Sequence, residues 1–189
     1  MNYVKKKSYN LINLIFRSFH VKSAALYKKL FCAYVIPVAT YCIELYGGAN
    51  VYAINELERI VRYFTKRLWL RLNPNIDPPP YTRRLLVFGL IPLESQRIFS
   101  DLVFFFKIAR GFVRVPSYRL SFSLTKHRIV IQRVRSSLSK RFFTHRSSML
   151  WNKIIREQSW LSFSVNQFKD YLSKRDLSPF MERRTFKAF

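Results

Sequence analysis

Residues 51–72, VYAINELERIVRYFTKRLWLRL, establish the architecture, because their apolar residues recur at alternating steps of three and four. At about 100° per residue these positions form one stripe along a helix, and basic residues lie about 150–210° around from it. One face of the predicted helix therefore needs a core, and the other presents a row of positive charge. The stripe consists of Ile54, Leu57, Val61, Phe64 and Leu68, and the cationic row consists of Arg59, Arg62 and Lys66.

Two helices are predicted before this segment. Residues 3–18 form an amphipathic helix, and Ser23 is an N-cap residue for the next one. Pro37 should kink or restart that second helix, since proline has no amide hydrogen and crowds the preceding turn. The dipeptide Gly47-Gly48 should end it, because glycine readily adopts the left-handed cap conformation. The apolar side of the first helix comprises Leu11, Leu14 and Ile15.

Two further helices are predicted after the segment. Residues 73–80, NPNIDPPP, interrupt the helical pattern and form a stiff connector. A short helix follows from Tyr81 to about Gly89. The next helix has Pro92 at its first position and Gly111 just past its end, the usual asymmetry of these two residues at helix termini. The side of this helix that we expect to be buried comprises Leu93, Ile98, Leu102 and Phe105.

The pattern changes after Gly111, which is the predicted boundary of the helical bundle. RLSFSL (119–124) and RIVIQRV (128–134) alternate in the manner of short strands. The sequence therefore predicts a mainly α protein, with a small helical bundle followed by a basic, partly helical extension that includes possible short strands. The predicted divisions are an N-terminal helix and linker (1–22), the bundle (23–111) and the extension (112–189).

Helical signals return near the C-terminal end. One helix is predicted from Arg141 through RFFTHRSSMLWNKIIREQ. Another follows Ser164, whose partner Gln167 completes a capping-box pattern. His145 could contact a phosphate, but a surface helix position is the preferred interpretation. Large aromatic residues are interpreted as core side chains rather than base-stacking platforms; these are Trp69, Phe104, Phe105, Phe106, Trp151 and Trp160.

The charge of the chain indicates a polyanionic partner. It has 189 residues with 34 Lys+Arg against 10 Asp+Glu, a net charge of +24, and its 49% hydrophobic content argues against disorder. Thirteen Lys or Arg residues and no acidic residue lie between Asp101 and Glu157. A solvated surface normally mixes both signs. Nucleic acid is the usual partner of a long basic segment that contains no acidic residues.

The cysteines and the apolar runs indicate the cellular compartment of the protein and whether it crosses a membrane. Cys32 and Cys42 match no common zinc spacing, so we interpret them as buried free thiols in a reducing, intracellular protein. No cleavable signal peptide is expected. The longest uncharged run, Leu30 to Ile43, has fourteen residues. A membrane-spanning helix needs about 20, so the sequence does not favour a membrane partner.

Catalytic constellations are absent from the sequence. Two-metal phosphoryl transfer needs several converging carboxylates, and only Glu56 and Glu58 among the ten acids are close in sequence. Two residues apart on a helix, they point to different faces. There is no Gly-rich phosphate loop, GxSxG or HExxH motif. We therefore expect no catalysis by this chain alone, no metal and no cofactor.

The candidate binding residues are basic side chains that can neutralise phosphates and release counterions. We expect them to contact an RNA–DNA or RNA duplex without sequence preference. They are Arg59, Arg62, Lys66, Arg67, Arg71, Arg83, Arg84, Arg97, Arg133, Arg135, Lys140 and Arg141.

Several short strings, in order, resemble one family. The first set comprises Leu26-Tyr27-Lys28, Tyr34-Val35-Ile36-Pro37, Tyr41, Glu44, Leu57-Glu58-Arg59 and Phe64-Thr65-Lys66-Arg67. The second comprises Tyr81, Arg84-Leu85, Gly89-Leu90, Pro92-Leu93-Glu94, Arg97 and Asp101-Leu102. The third comprises Phe142-Phe143, Arg146, Leu150-Trp151-Asn152 and Phe168-Lys169. Together they resemble the region after the catalytic palm in reverse transcriptases of non-LTR, LINE-like retrotransposons of the jockey type, over roughly residues 24–173.

The chain departs from that family's pattern at several positions. Arg62 replaces the usual Gln, Glu-Ser-Gln-Arg (94–97) replaces a double arginine, and Ile154-Ile155 replaces Leu-Pro after the Trp-Asn pair. The palm carboxylates, an endonuclease and a terminal Cys/His cluster are missing. The resemblance therefore implies the thumb and following extension of an RNA-directed DNA polymerase whose palm would lie upstream. We expect a truncated or decayed element copy, or one exon of a broken gene.

The resemblance also implies a role. In reverse transcriptases the thumb is a helical bundle that grips the template–primer duplex. By resemblance, Arg59, Arg62, Lys66 and Arg67 would follow the backbone of the hybrid, and the chain would act in the nucleus or cytoplasm. Two alternatives remain open: a basic protein associated with a membrane surface, for which the apolar segment beside Lys28 and Lys29 is the motivation, and a decayed fragment without function.

Overall fold

The structure, a computed structural model, describes residues 2–41, 51–114, 128–131, 133–155, 162–175 and 177. Across these residues the chain is mainly helical, as predicted. The helices are α1 (Asn2–Ser18), α2 (Ala24–Leu30), α3 (Ile36–Thr40), α4 (Val51–Leu72), α5 (Tyr81–Phe88), α6 (Leu93–Ala109), α7 (Ser137–Arg141), α8 (Phe143–Ile154) and α9 (Val165–Ser173).

The described residues form two compact units, one up to Gln96 and one from Arg97 onward. Each unit has its own hydrophobic core. The predicted divisions lie elsewhere, after residues 22 and 111. Residues 1–22 belong to the first unit because α1 buries its apolar face in the first core. The change of unit falls within α6 because residues from Ile98 onward bury their side chains in the second core.

The first core is built on α4. Phe64 is fully buried, and its ring stacks on that of Phe31 with centroids 3.9 Å apart and lies 5.8 Å from the ring of Phe16. Phe16 in turn stacks on Tyr27 at 4.7 Å. Burying rings of this size contributes several kcal/mol to the core by itself, about 1.5–3 kcal/mol for each large side chain. The predicted stripe is buried: Ile54, Val61, Phe64 and Leu68 are buried, and Leu57 is partly buried against the core.

The register of α1 differs from the predicted one. Leu14 is 56% exposed, whereas Ile12 and Phe16 are buried together with Ile15. Leu11 is partly buried against the core. The buried face of α1 is therefore centred on Ile12, Ile15 and Phe16, because α1 packs on both α3 and α4. The prediction chose Leu11, Leu14 and Ile15 from the same run of apolar residues and placed Leu14 on the wrong side.

The regular α-helix is interrupted before Pro37 and resumes at it, in line with the predicted restart. A π-helical turn, Phe31–Val35, joins α2 directly to α3, and Pro37 lies in the first turn of α3. Proline cannot donate the backbone hydrogen bond of a helix and its ring crowds the carbonyl four residues earlier, so a wider turn lets the helix pass it. Phe31 and Val35 are buried, while Cys32 is exposed. The predicted buried thiol is therefore wrong for Cys32, and Cys42 lies outside the described residues.

The helix ends in the first unit follow the predicted residues. The Ser23 side chain accepts a hydrogen bond from the Leu26 amide at 3.4 Å, which caps α2. Residues 73–80 form no helix, and α5 starts at Tyr81 as predicted. Gly89 adopts a left-handed conformation with φ of 58°, which ends α5 as a C-cap. Gly47 and Gly48 lie outside the described residues.

The second core is also built from stacked rings. Phe106 of α6 stacks on Phe168 of α9 with centroids 4.2 Å apart, and Trp151 of α8 lies 5.7 Å from Phe168 and 5.3 Å from Phe105. The side of α6 predicted to be buried is buried along its whole length, although Leu93 packs in the first core. Phe104 and Trp69 are half-buried, and Trp160 lies outside the described residues.

The region after residue 128 departs from the predicted strands. Among the described residues of 128–135 there is no strand. Instead, the side chain of Asn152 donates to the Ile129 carbonyl and accepts from the Ile129 amide, both at 2.9 Å. Residues 119–124 lie outside the described part of the chain. The helix expected from about Arg141 is α8, which starts at Phe143, and the short helix α7 precedes it. The capping box of Ser164 and Gln167 is confirmed at the start of α9.

Candidate nucleic-acid interface

The cationic row lies on the outward side of α4, opposite the buried stripe. Lys66 is exposed, and the side chain of Arg59 is 52% exposed. Arg62 is half-buried, and its guanidinium lies 4.6 Å from the ring centroid of Tyr81. Steps of three and four residues keep these cations on one face of the helix. Three positive charges therefore share a surface that stands opposite the core.

One end of this row is held by a buried carboxylate. The side chain of Glu56 is 8% exposed and forms ion pairs with both Lys5 of α1 and Arg59. The hydrogen bond from Lys5 to Glu56 raises the pKa of Lys5 above its ordinary value. Lys5 and Arg59 bring two positive charges to one negative charge, so the group keeps a net positive charge.

Arg67 and Arg71 are used inside the first unit. Arg67 donates to the Oδ1 atom of Asn13 and to the Tyr63 hydroxyl, the latter at 2.9 Å. Arg71 donates from Nη2 to the backbone carbonyl of Phe16 at 2.6 Å. That carbonyl lies in the last turn of α1, where helical carbonyls have no partner within the helix and a cation is favourable. These two arginines therefore attach α1 to α4, and α1 occupies the side of α4 that they face.

Arg84 is also used internally. It is 8% exposed, and it donates from Nε to Thr65 at 3.3 Å and from Nη1 to the Pro79 carbonyl at 2.6 Å. Burial lowers the pKa of the Arg84 guanidinium below its ordinary value. Its neighbour Arg83 is exposed. On α5 the two adjacent arginines thus have opposite environments, because residues one step apart point about 100° away from each other.

Glu58 is almost fully buried, with 1% of its surface exposed. It accepts a hydrogen bond from the Tyr81 hydroxyl and another from the Leu93 amide at 2.9 Å. The second bond caps the start of α6, where backbone amides lack partners within the helix. Burial raises the pKa of the Glu58 carboxyl, and burial together with the Glu58 charge raises the pKa of Tyr81. Glu58 therefore joins α4, α5 and α6.

The predicted basic residues of the second unit are mostly exposed. Arg97 is the exception, since only 9% of its surface is accessible. The other members of this group, all exposed, are Arg133, Arg135, Lys140 and Arg141. The predicted set therefore separates into exposed cations on α4, α5 and the segment 133–141, and internal cations that hold helices together.

Two polar contacts of the second unit were missed by reasoning from the sequence. Asp101, which is fully buried, accepts two hydrogen bonds from Arg146, each 2.8 Å long. Asn152 binds both backbone groups of Ile129, as described above. Neither pair has a sequence signal, because the partners lie 45 and 23 residues apart. His145 is half-buried in α8, and its Nδ1 atom is buried.

The burial of Glu58 did have a signal. Glu58 lies four residues after Ile54 and three before Val61. It therefore belongs to the same helical stripe as two predicted core residues. Thr65, also fully buried, continues this line. The buried face of α4 is wider than the single predicted stripe because α1, α2 and α5 all pack on this helix.

Comparison with known proteins does not assign this chain to a family. An uncharacterized protein of Caenorhabditis elegans is 26% identical over 116 residues, which cover 61% of this chain and 58% of that protein. This chain thus matches less than two thirds of the relative's length. No family model matches the sequence, and no solved structure matches it. The resemblance to retrotransposon reverse transcriptases therefore stays a prediction.

The described residues also bear on metal binding and on membranes. In those ranges no three His, Cys, Asp or Glu side chains are grouped so that they could hold a metal ion. Within the same part of the chain, no helix has both the length and the apolar character needed to cross a membrane.

Proposed function

We propose that this chain binds nucleic-acid duplexes without sequence preference, through their phosphates, as the thumb-like part of a reverse transcriptase of the non-LTR retrotransposon type. The observation that carries the proposal is the cationic row on α4. Its helix is fixed by a buried stripe on one side, so the cations on the other side are presented on a rigid support. Rigid positioning reduces the ordering cost of binding.

The residues that support this role are fewer than the sequence suggested. Arg59 and Lys66 on α4 and Arg83 on α5 are exposed and can reach phosphates. Arg62 adds a fourth positive charge to the same surface from its position over Tyr81. Arg67, Arg71 and Arg84 donate to partners within the first unit, and we assign them a supporting role in the fold.

The net charge of +24 and the ordered family strings support the proposal independently of the geometry. Duplexes carry closely spaced phosphates, and a protein that neutralises them releases counterions. The resemblance names an RNA–DNA hybrid as the natural duplex, with the catalytic palm supplied by another part of the parent polymerase. The chain itself then acts in binding and not in chemistry.

A salt titration with matched variants tests the proposal. Binding to an RNA–DNA hybrid should weaken with salt, with a log–log slope of about −0.9 for each phosphate neutralised. Lys66→Ala and Arg83→Ala should each make that slope less negative by about 0.9. Lys29→Ala is the control, because Lys29 is an exposed cation of the same unit on α2. It removes the same charge and should leave the slope unchanged.

Two results would contradict this function. One is a wild-type chain that does not bind the hybrid at low salt. The other is an equal effect of Lys66→Ala and Lys29→Ala, which would mean that net charge alone governs binding. Circular dichroism of each variant confirms that the helices are retained, and it also tests the alternative of a decayed, non-folding fragment.

A second candidate function, binding at an anionic membrane surface, is favoured by one observation. Leu86 and Val87 at the end of α5 are 82% and 57% exposed, and Ile91, just after this helix, is 60% exposed. Exposed apolar groups of this size often mark interaction sites. Flotation with phosphatidylserine vesicles in the presence of competing hybrid separates the two functions. Release from the vesicles by the hybrid supports duplex binding, and retention supports the membrane surface.

A further inference from the structure

Phe142 is an exposed aromatic residue whose exposure the fold does not require. It lies between α7 and α8, and 60% of its surface is accessible. The neighbouring Phe143 packs against Phe104 and Phe105, with ring centroids 5.2 and 6.4 Å apart. One ring of the pair therefore belongs to the core, and the other stands in solvent.

The backbone role of Phe142 does not depend on its side chain. It precedes the first residue of α8 with φ of −57° and ψ of 145°, and its side chain makes no capping hydrogen bond. Its carbonyl accepts from the Arg146 amide at 3.0 Å, a contact that any residue can make. A substitution at this position should therefore leave α8 intact.

The surroundings of Phe142 are cationic. Lys140 and Arg141 immediately precede it and are exposed, and Arg133 and Arg135 are exposed on the segment that leads into α7. All of them lie in the run between Asp101 and Glu157 that contains no acidic residue. Asp101 itself is fully buried and bound to Arg146, so it does not offset this surface. The complementary ligand is a polyanion that also offers a flat apolar face.

We propose that Phe142 is a stacking site for an unpaired base, and that Lys140 and Arg141 contact the phosphates on either side of that base in a single-stranded nucleic acid. In a duplex the faces of the bases are hidden in the stack, whereas single strands expose them to aromatic side chains. This second surface goes beyond the duplex-binding row of the first unit. It depends on the proposed function only in that the partner of both surfaces is a nucleic acid.

The test uses the full chain and three labelled probes of equal length, with fluorescence anisotropy as the readout. The probes are oligodeoxyadenylate, an abasic strand with the same phosphates, and an RNA–DNA hybrid. Phe142→Ala should weaken binding to oligodeoxyadenylate about five- to 150-fold, which corresponds to the loss of one base–aromatic stack. The same variant should leave abasic and hybrid binding unchanged, and it should leave the salt slope unchanged.

Conservative variants separate stacking from bulk. Phe142→Tyr keeps a ring and should bind oligodeoxyadenylate like the wild type, whereas Phe142→Leu keeps an apolar side chain and should bind like Phe142→Ala. Tyr34→Ala is the control, since Tyr34 is 59% exposed but lies in the first unit. It should have no effect. Lys140→Ala with Arg141→Ala should make the salt slope for the single strand less negative by about 1.4, or about 0.7 for each phosphate.

The inference is overturned if Phe142→Ala leaves oligodeoxyadenylate binding unchanged, or if it weakens abasic and base-containing strands equally. It is also overturned if Phe142→Leu binds like the wild type. These results are independent of the proposed function, which depends on Lys66→Ala and Arg83→Ala with the hybrid. Either binding proposal can therefore be refuted while the other is supported.

Discussion

The two units have similar cores but use their charged residues differently. Each core is centred on stacked rings, with Phe31 on Phe64 in the first unit and Phe106 on Phe168 in the second. In the first unit, Glu58 and several arginines join α4 to the helices around it. In the second unit, the exposed cations of 133–141 lie at the surface and the bidentate pair of Asp101 and Arg146 lies inside.

This difference shows that basic composition alone does not identify a binding surface. Two arginines on the same helix, α4, have opposite roles. Arg59 is exposed, whereas Arg71 donates a hydrogen bond to the last turn of α1. The difference depends on whether another helix packs over the side of α4 that carries the arginine. Three comparisons between variants of the two units test this difference.

The largest effect is expected from the buried ion pair of the second unit. Arg146→Ala leaves the Asp101 carboxylate buried without its bidentate partner and should lower the free energy of unfolding by about 3–5 kcal/mol. Arg71→Ala in the first unit removes a charge-assisted hydrogen bond to a backbone carbonyl and should cost about 1.5–3 kcal/mol. Urea denaturation measures both values.

A double variant serves as the control for this comparison. Asp101→Ala combined with Arg146→Ala should be less destabilised than Arg146→Ala alone, because no uncompensated charge stays buried. If Arg146→Ala lowers the free energy of unfolding no more than Arg71→Ala does, the buried ion pair of the second unit contributes no more to stability than the helix-end contact of the first unit.

An intermediate effect is expected from the buried carboxyl of the first unit, as a function of pH. Burial raises the pKa of Glu58 in the folded chain. Between the ordinary carboxyl pKa and this raised value, the folded chain holds more protons than the unfolded chain, so the free energy of unfolding decreases as pH rises. Glu58→Gln cannot titrate and should show a flatter dependence across that window.

The measurement is chemical denaturation of both chains at a series of pH values. Asp170→Asn in the second unit is the matched control, because it also replaces one carboxyl by an amide, at an exposed position on α9. An identical slope for the wild type and Glu58→Gln across the window would show that Glu58 does not titrate with a raised pKa.

The smallest effect is expected from the helix caps. Ser164 and Gln167 form a reciprocal capping box on α9, whereas Ser23 caps α2 with a single hydrogen bond of 3.4 Å. Ser164→Ala should cost about 1 kcal/mol, and Ser23→Ala about half of that. Thermal unfolding followed by circular dichroism compares the two, and a larger loss for Ser23→Ala would reverse the expected order.

The sequence predicted features that depend on residues close together in the chain. The spacing of Ile54, Val61, Phe64 and Leu68 was sufficient to predict α4, and local cap chemistry was sufficient at Ser23 and Ser164. These signals are local because helix periodicity and N-capping involve neighbours within one or two turns.

Features that depend on distant partners were not predictable in the same way. Leu14 was placed in the core although three neighbouring apolar residues compete for that position. The π-helical turn before Pro37 depends on what packs around it, and so does the exposure of Cys32. The candidate binding residues were chosen by charge, and only packing reveals that Arg67, Arg71 and Arg84 donate to groups within the chain.

The hydrogen bond from the Leu93 amide to Glu58 also has a consequence for the order of events during synthesis. Glu58 leaves the ribosome 35 residues before Leu93. A nascent chain that has folded α4 and α5 therefore holds this carboxylate with the Tyr81 hydroxyl but without the Leu93 amide. The α4–α5 pair gains its last bond to this carboxylate only from residue 93, so a truncated chain that ends before Leu93 would keep the buried carboxyl with one partner fewer.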